Sequence, residues 1–173
     1  DTTGWFTFTL PWDDASPTWV DGSDLLRDAP DDDLATLIDD RGFVETDADG
    51  HFVFANTGEQ ARFWGINLCV SAGFPPCPDY PPEPDEFPYE FDDVDAAEKL
   101  AGRLAKLGFN AVRLHAIDLY SRPRGIWQDR WANTQEFDPV QLGRLDHFIY
   151  QLKRHGIYVD LNLYVDRMFT PAD

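Results

Sequence analysis

A permanent cation and an imidazole stand two residues apart in the stretch GFNAVRLH, residues 108–115. In an extended chain Ala111, Arg113 and His115 share one face and Val112 and Leu114 the other, because side chains alternate along a strand. A guanidinium presents a rigid fork of donors to a carboxylate, and an imidazole changes charge near neutral pH, so this face can support carboxylate or hydroxyl chemistry. The same alternation recurs in IYVDLNLYV, where Tyr158, Asp160, Asn162 and Tyr164 oppose Ile157, Val159, Leu161, Leu163 and Val165. In RFWGINL it sets Phe63, Gly65 and Asn67 against Trp64, Ile66 and Leu68. Each strand is apolar on one side and polar on the other.

Every candidate has a plainer reading beside the functional one. Arg113 either serves an active site or forms a structural ion pair with Asp160 that satisfies both charges. His115 and Asp118, in HAID, are site residues or order the loop through hydrogen bonds. Asn67 binds substrate or ties down the loop after its strand. Trp127 and Trp131, in GIWQDRW, offer aromatic faces for sugar C–H groups, or they pack beneath the loop. The four histidines, His51, His115, His147 and His155, are scattered without paired ligand spacing, so no metal is expected. For His147 and His155, on a helix, a solvated position or one complementing the helix dipole suffices.

The elements that must place these residues are legible in the periodicity. A helix over residues 94–107 carries Ala97, Leu100, Ala101, Leu104 and Leu107 on one stripe behind an acidic start, and Gly108 ends it. A second helix takes Asp138 as N-cap and Pro139 in its first turn, runs through Leu142, Leu145, Phe148, Ile149 and Leu152, and stops at Gly156. Each leads at once into a strand, an alternation that implies parallel pairing through right-handed crossovers. The connections that follow the strands are long, whereas the returns from helix to strand are minimal. One-sided polarity and long loops after the strands together predict a (β/α)8 barrel whose active site lies at the C-terminal mouth. In an open sheet covered on both faces by helices, each unsatisfied polar group would cost about 1–3 kcal/mol. Upstream, Asp49-Gly50 turns a hairpin that leads into the first core strand. The predicted organisation is an irregular layer over residues 1–42, with a short helix around Leu34, Leu37 and Ile38, followed by a partial barrel over residues 43–173. Trp5, Trp12 and Trp19 read as buried anchors of that layer, with sugar stacking as the alternative.

Composition narrows the partners. Of 173 residues 32 are acidic and 14 basic, and the net charge of -18 opposes nucleic acid and anionic membranes. Asp dominates the acids and lysine is confined to Lys99, Lys106 and Lys153, a balance found in proteins adapted to high salt as well as in ordinary acidic ones. No apolar stretch reaches the roughly 20 residues that span a bilayer. The chain starts at Asp1 with neither an initiator Met nor a signal-like segment, which points to a processed or cut start. Cys69 and Cys77 are close enough to close a short loop in an oxidising compartment.

At RFWGINL, LAKLGFNAVRLH and HGIYVDLNLYV the chain resembles the first three barrel strands of clan A glycoside hydrolases, the cellulase-like family 5 above all. The resemblance spans residues 42–173. It implies that Arg113 is the second-strand arginine that hydrogen-bonds the nucleophilic glutamate, with His115 one pleat nearer the mouth and able to contact a sugar hydroxyl or carboxylate. It also implies an extracellular setting, no cofactor, and a carbohydrate substrate met by Asn67, Asp118, Trp127, Asn162 and Tyr164. Tyr164 stands where the family has a histidine. Retaining hydrolysis takes two carboxyl groups about 5–5.5 Å apart. In the family these glutamates end the fourth and seventh strands, and none of the seven glutamates here falls on a predicted strand end. The expectation is therefore a portion of a hydrolase, inactive alone, whose partner is the remainder of the barrel in the same or another chain. The alternatives are a noncatalytic carbohydrate-binding or assembly module, or part of another barrel enzyme.

Overall fold

In the computed structural model, residues 3–4, 16, 21–82, 95–165 and 167–173 are described. The three N-terminal tryptophans assigned above as anchors lie outside them. Helix α1 spans Leu34–Arg41, strands β1 and β2 span Val44–Thr46 and Phe52–Phe54, and β3 spans Gly65–Cys69. Helix α2 covers Ala96–Lys106, β4 Ala111–His115, α3 Pro139–Arg154 and β5 Tyr158–Leu161.

Local chemistry fixes the helix ends. Each helix starts on an aspartate: Asp33 accepts from the Thr36 amide, Asp95 from that of Glu98, and Asp138 from those of Val140 and Gln141. These caps satisfy amides that the first turn leaves without helical partners. After α2 and α3 the chain turns through Gly108 and Gly156 at φ of +78° and +75°, a left-handed conformation that glycine adopts without steric cost.

β1 and β2 form an antiparallel hairpin, and β3, β4 and β5 form a separate parallel sheet in that order. The register sets Asn67 beside Arg113 and Arg113 beside Asp160. The alternate residues Val112 and Leu114 are 0% exposed. They belong to the core with Ala97, Ala101 and Leu104 of α2 and Leu145, Phe148 and Leu152 of α3. Burying one such side chain contributes about 1.5–3 kcal/mol. Both crossover helices thus cover one face of the sheet. The structure is a mixed α/β domain with a three-stranded parallel sheet.

Buried polar groups hold the loops to this core. Arg144 donates to the carbonyls of Tyr80 and Pro81, and Gln141 to those of Pro123 and Gly125, which fastens both loops that follow strands to one side of α3. At the other end of the sheet the hairpin docks through aromatic rings. Phe54 stacks on Tyr158 at 5.4 Å between centroids, and Phe63 meets Tyr158 edge-on at 5.8 Å. Tyr158 opens β5, so the hairpin closes the N-terminal end of the strands.

Several expectations need correction. The strand predicted through Val165 ends at Leu161, and Leu163 and Tyr164 are exposed in the bend that follows. β5 has β4 as its neighbour, and after His115 the chain turns through Ala116 at φ +58°, so the ladder runs out of partners. Leu107, expected on a buried stripe, is half exposed because it lies one residue beyond α2. Trp64, expected to face inward with Ile66 and Leu68, is exposed and stacks on Phe109. His147 is not solvated: its Nε2 lies 3.0 Å from Asp95 Oδ2 and joins α3 to the cap of α2. Burial first and the Arg154 charge second lower the pKa of His155, which opposes the charged form a dipole-complementing role would use. The pairing of Cys69 with Cys77, which the sequence left open, is not made: both are free thiols, the first exposed and the second buried.

Candidate functional site

The sheet face opposite the helices carries the polar residues. Alternation from Gly65 brings Asn67 and Cys69 onto it, Ala111 brings Arg113 and His115, and Tyr158 brings Asp160. Arg113 is the centre of this group. Its Nε donates to Asn162 Oδ1 at 2.6 Å and lies 3.8 Å from Asp160 Oδ2, and its side chain is 46% exposed. The ion pair with Asp160 is therefore long and solvated, a geometry that contributes little to stability. Among the described residues the two terminal nitrogens of Arg113 make no hydrogen bond. Asn67 on β3 and Asn162, one residue beyond β5, stand on either side of β4, and Asn67 also donates to the Cys69 sulfur at 3.1 Å.

Toward the C-terminal end the register sets Cys69 beside His115. The Nδ1 of His115 is buried without a hydrogen-bond partner. Asp118, three residues on, is 5% exposed. One of its oxygens accepts from the Val165 amide at 2.8 Å, and the other is buried with no partner. Asp118 thus ties the chain beyond β5 to the loop beyond β4, which is the loop-ordering role weighed for it, while one oxygen remains uncommitted.

The structure separates the two tryptophans. Trp127 is 5% exposed, its indole N–H donates to the Asp118 carbonyl at 2.7 Å, and Phe137 stacks on it. Arg167 lies over the same ring. No ring face is open to a sugar, so the packing role replaces the substrate contact expected of it. Trp131 is 73% exposed in the same loop. Tyr164 has left the strand and is 62% exposed, so the register that would aim it at a site is lost. Arg113, Asn67 and Asn162 are brought together, His115 lies one pleat away, and Trp127 and Tyr164 are not part of the group.

A cavity of about 680 Å³ sits on the open face, lined by Phe43, Phe52, Phe63, Gly65, Tyr158 and Arg113 among others. Its aromatic walls belong to the hairpin and to the strand beginnings. It is a mainly apolar cavity that reaches up to Arg113, whereas His115 and Asp118 lie toward the opposite, C-terminal end.

Sequence reasoning missed two features. Cys69 was weighed for a disulfide alone, although the alternation that places Asn67 on the polar face places Cys69 there too. In the hairpin turn, ligand atoms of Asp47, Asp49 and His51 lie within 4.8 Å of one another. Asp47 accepts from the His51 and Asp49 amides, and these bonds, led by that from His51, lower its pKa. That pattern is accounted for by the turn itself.

None of the described helices is long and apolar enough to cross a membrane. No family model, curated protein or solved structure matches the chain, so a functional reading rests on the geometry above.

Proposed function

We propose that the chain supplies the first three strands of a (β/α)8 barrel glycoside hydrolase acting on a poly- or oligosaccharide. The observation that carries this reading is Arg113, a cation on an open sheet face whose terminal nitrogens have no partner among the described residues. A sequential parallel order with helices on one face also describes half of a doubly wound sheet. There the second face is covered by helices, and Asn67, Arg113 and Asp160 would be buried beneath apolar surface at a cost of several kcal/mol for the charges. Closing the sheet into a cylinder turns the same residues toward an axis where substrate and carboxylates meet.

In this reading Arg113 holds the nucleophilic glutamate ionised, because a cation within hydrogen-bond reach favours the carboxylate form. Asn162 holds Arg113 in place through Nε, and His115 and Asn67 contact substrate hydroxyls. No described glutamate lies at the end of a parallel strand: Glu45 is in the hairpin, Glu98 in α2, and Glu59 and Glu136 in loops. In this reading the acid/base and nucleophile are supplied by strands other than the three described. Residues 1–173 on their own are expected to give no turnover of aryl glycosides, and measurable release of the aryl group overturns the assignment. The coding sequence after Asp173 is the second test, with an Asn-Glu pair expected at the end of the next strand. A stop codon there, with a monodisperse monomer in solution, selects the noncatalytic carbohydrate-binding module instead.

A further inference from the structure

The aromatic rings beyond the C-terminal ends of the strands fall into two groups, those packed beneath the loops and those left in water. Trp131, in the loop after β4, is 73% exposed, and Phe169, in the segment after β5, is 65% exposed. Neither ring hangs free. The Arg130 guanidinium stands 4.6 Å from the centre of the Trp131 ring and 5.2 Å from that of Tyr120, so it lies between two rings. The Arg167 guanidinium stands 4.6 Å from the Phe169 ring centre and 4.9 Å from that of the buried Trp127. The same device is built twice: an arginine between two rings backs an aromatic group that water reaches. Cation–π contacts of this kind favour one ring orientation.

Both arginines are fixed by partners of their own. Arg130 is buried and donates to the Leu119 carbonyl, while Arg167 donates to the hydroxyl and carbonyl of Thr134 and lies 3.8 Å from Asp173. The two chain segments are also tied to each other. Thr170, next to Phe169, donates through its hydroxyl to the carbonyl of Ala132, next to Trp131, at 3.1 Å, and the Thr134 amide donates to Asp173. Trp131 donates its own amide to Asp129 at 2.9 Å. The exposed rings therefore stand on one cross-linked rim, and a ligand that settles on them orders little further chain.

Beside Trp131 a cavity of about 400 Å³ is lined by Tyr120, Ser121, Gln128 and Asp129 among others. Separate rings next to amide, hydroxyl and carboxylate groups suit a ligand with C–H groups on its face and hydroxyls at its edge, which describes a pyranose. A lipid tail or an apolar peptide would need a continuous apolar patch instead. The net charge of -18 disfavours an anionic chain.

We infer that Trp131 and Phe169 form a two-ring platform that holds a neutral oligosaccharide, one sugar unit on each ring, with Gln128 and Asp129 hydrogen-bonding the hydroxyls of the unit on Trp131. The inference rests on the hydrolase reading and deepens it by naming the charge class of the substrate and the rings that hold it. It uses the loops after the strands, where barrels build their sites.

Calorimetric titration of the chain with neutral tetramers of β-1,4-linked glucose, mannose and xylose tests it, with methyl β-glucoside and a galacturonic acid tetramer for comparison. The best neutral tetramer is expected to bind at least about tenfold tighter than the single sugar, because it reaches both rings, and tighter than the acidic tetramer. Trp131→Ala and Phe169→Ala are each expected to weaken it by about three- to tenfold, the loss of one ring contact. Trp131→Phe keeps a ring and is expected to stay within about threefold of the parent. Trp64→Ala is expected to change nothing, since Trp64 is exposed at the other end of the sheet, where it stacks on Phe109. Both platform residues are exposed, so the variants retain the fold, which circular dichroism checks. Tighter binding of the acidic tetramer overturns the neutral class. A single sugar that binds as tightly as the tetramer, or an unchanged affinity in either alanine variant, overturns the two-ring platform. Absence of binding by every neutral tetramer overturns the site itself. The hydrolase reading is decided separately by the coding sequence after Asp173, so either idea can fail alone.

Discussion

Arg113 donates through Nε to Asn162, and its terminal nitrogens make no hydrogen bond among the described residues. A guanidinium so exposed adds little to folding, and its long contact with Asp160 is screened by solvent. Replacing it by leucine is therefore expected to shift stability by no more than about 0.5 kcal/mol in urea denaturation, the range of ordinary surface changes. A loss several times larger would make Arg113 a structural residue and remove the ground for its role beside the nucleophile. His155 gives a pH signature of its own. Burial holds its folded-state pKa below the ordinary value of 6.5. On acidification through about 6.5 the unfolded chain takes up a proton before the folded one, so stability falls until the folded pKa is passed and then levels. Urea midpoints at pH 7.5 and 5.5 are expected to show that fall, and His155→Asn is expected to reduce it. Equal pH dependence in the two proteins would show that His155 does not contribute.

At the scale of the elements, helix α3 joins core to loops. Its apolar stripe covers the sheet while Gln141 and Arg144 hold loop carbonyls, and Gly143 lies between them against Tyr80. A Cβ at Gly143 would come within 2.2 Å of the Tyr80 ring. Alanine in a helix interior normally gains roughly 1 kcal/mol over glycine, yet Gly143→Ala is expected to destabilise by about 1–3 kcal/mol because the ring must move. In a Tyr80→Ala background the penalty is expected to vanish, and a double-mutant cycle measures the difference. The helices and the two faces of each strand were legible from the sequence because periods of 3.6 and 2, aspartate caps and stop glycines are local signals. The end of β5 was not. The run Leu161, Leu163, Val165 keeps its alternation, but a ladder needs a neighbour, and β4 has already turned away at Ala116. The tryptophans failed similarly. Nothing local distinguishes Trp127 from Trp131, and what packs on the first is Phe137, ten residues on, and Arg167, forty residues on. The burial of Arg130 likewise depends on how deeply a whole loop sits.

Over the molecule as a whole, two properties act against each other. The net charge of -18 repels neighbouring copies and strains the compact state, whereas among the described residues β3 and β5 each present an unpaired edge, and Phe43, Phe52 and Phe63 are exposed. Salt screens the first and leaves the second. Raising sodium chloride from 0.1 to 1 M is therefore expected to raise the melting temperature, as self-repulsion is screened over a Debye length that shrinks from about 10 to 3 Å. The same change is expected to promote association, read by sedimentation velocity. Leu161→Lys on the edge strand β5 is expected to oppose that association, since charged edges resist pairing. A chain that stays monomeric in both salts would mean that the edges are already protected.

The docking of Phe54 against Tyr158 also imposes an order of events on synthesis. The hairpin leaves the ribosome about 100 residues ahead of the tyrosine that seats it. At roughly 5–20 residues per second that is an interval of about 5–20 s. Throughout it, Phe54 has no seat and is open to chaperones. β5, which carries Tyr158, is thus the strand that releases the hairpin from waiting, and a nascent chain arrested before Tyr158 keeps that hairpin unseated.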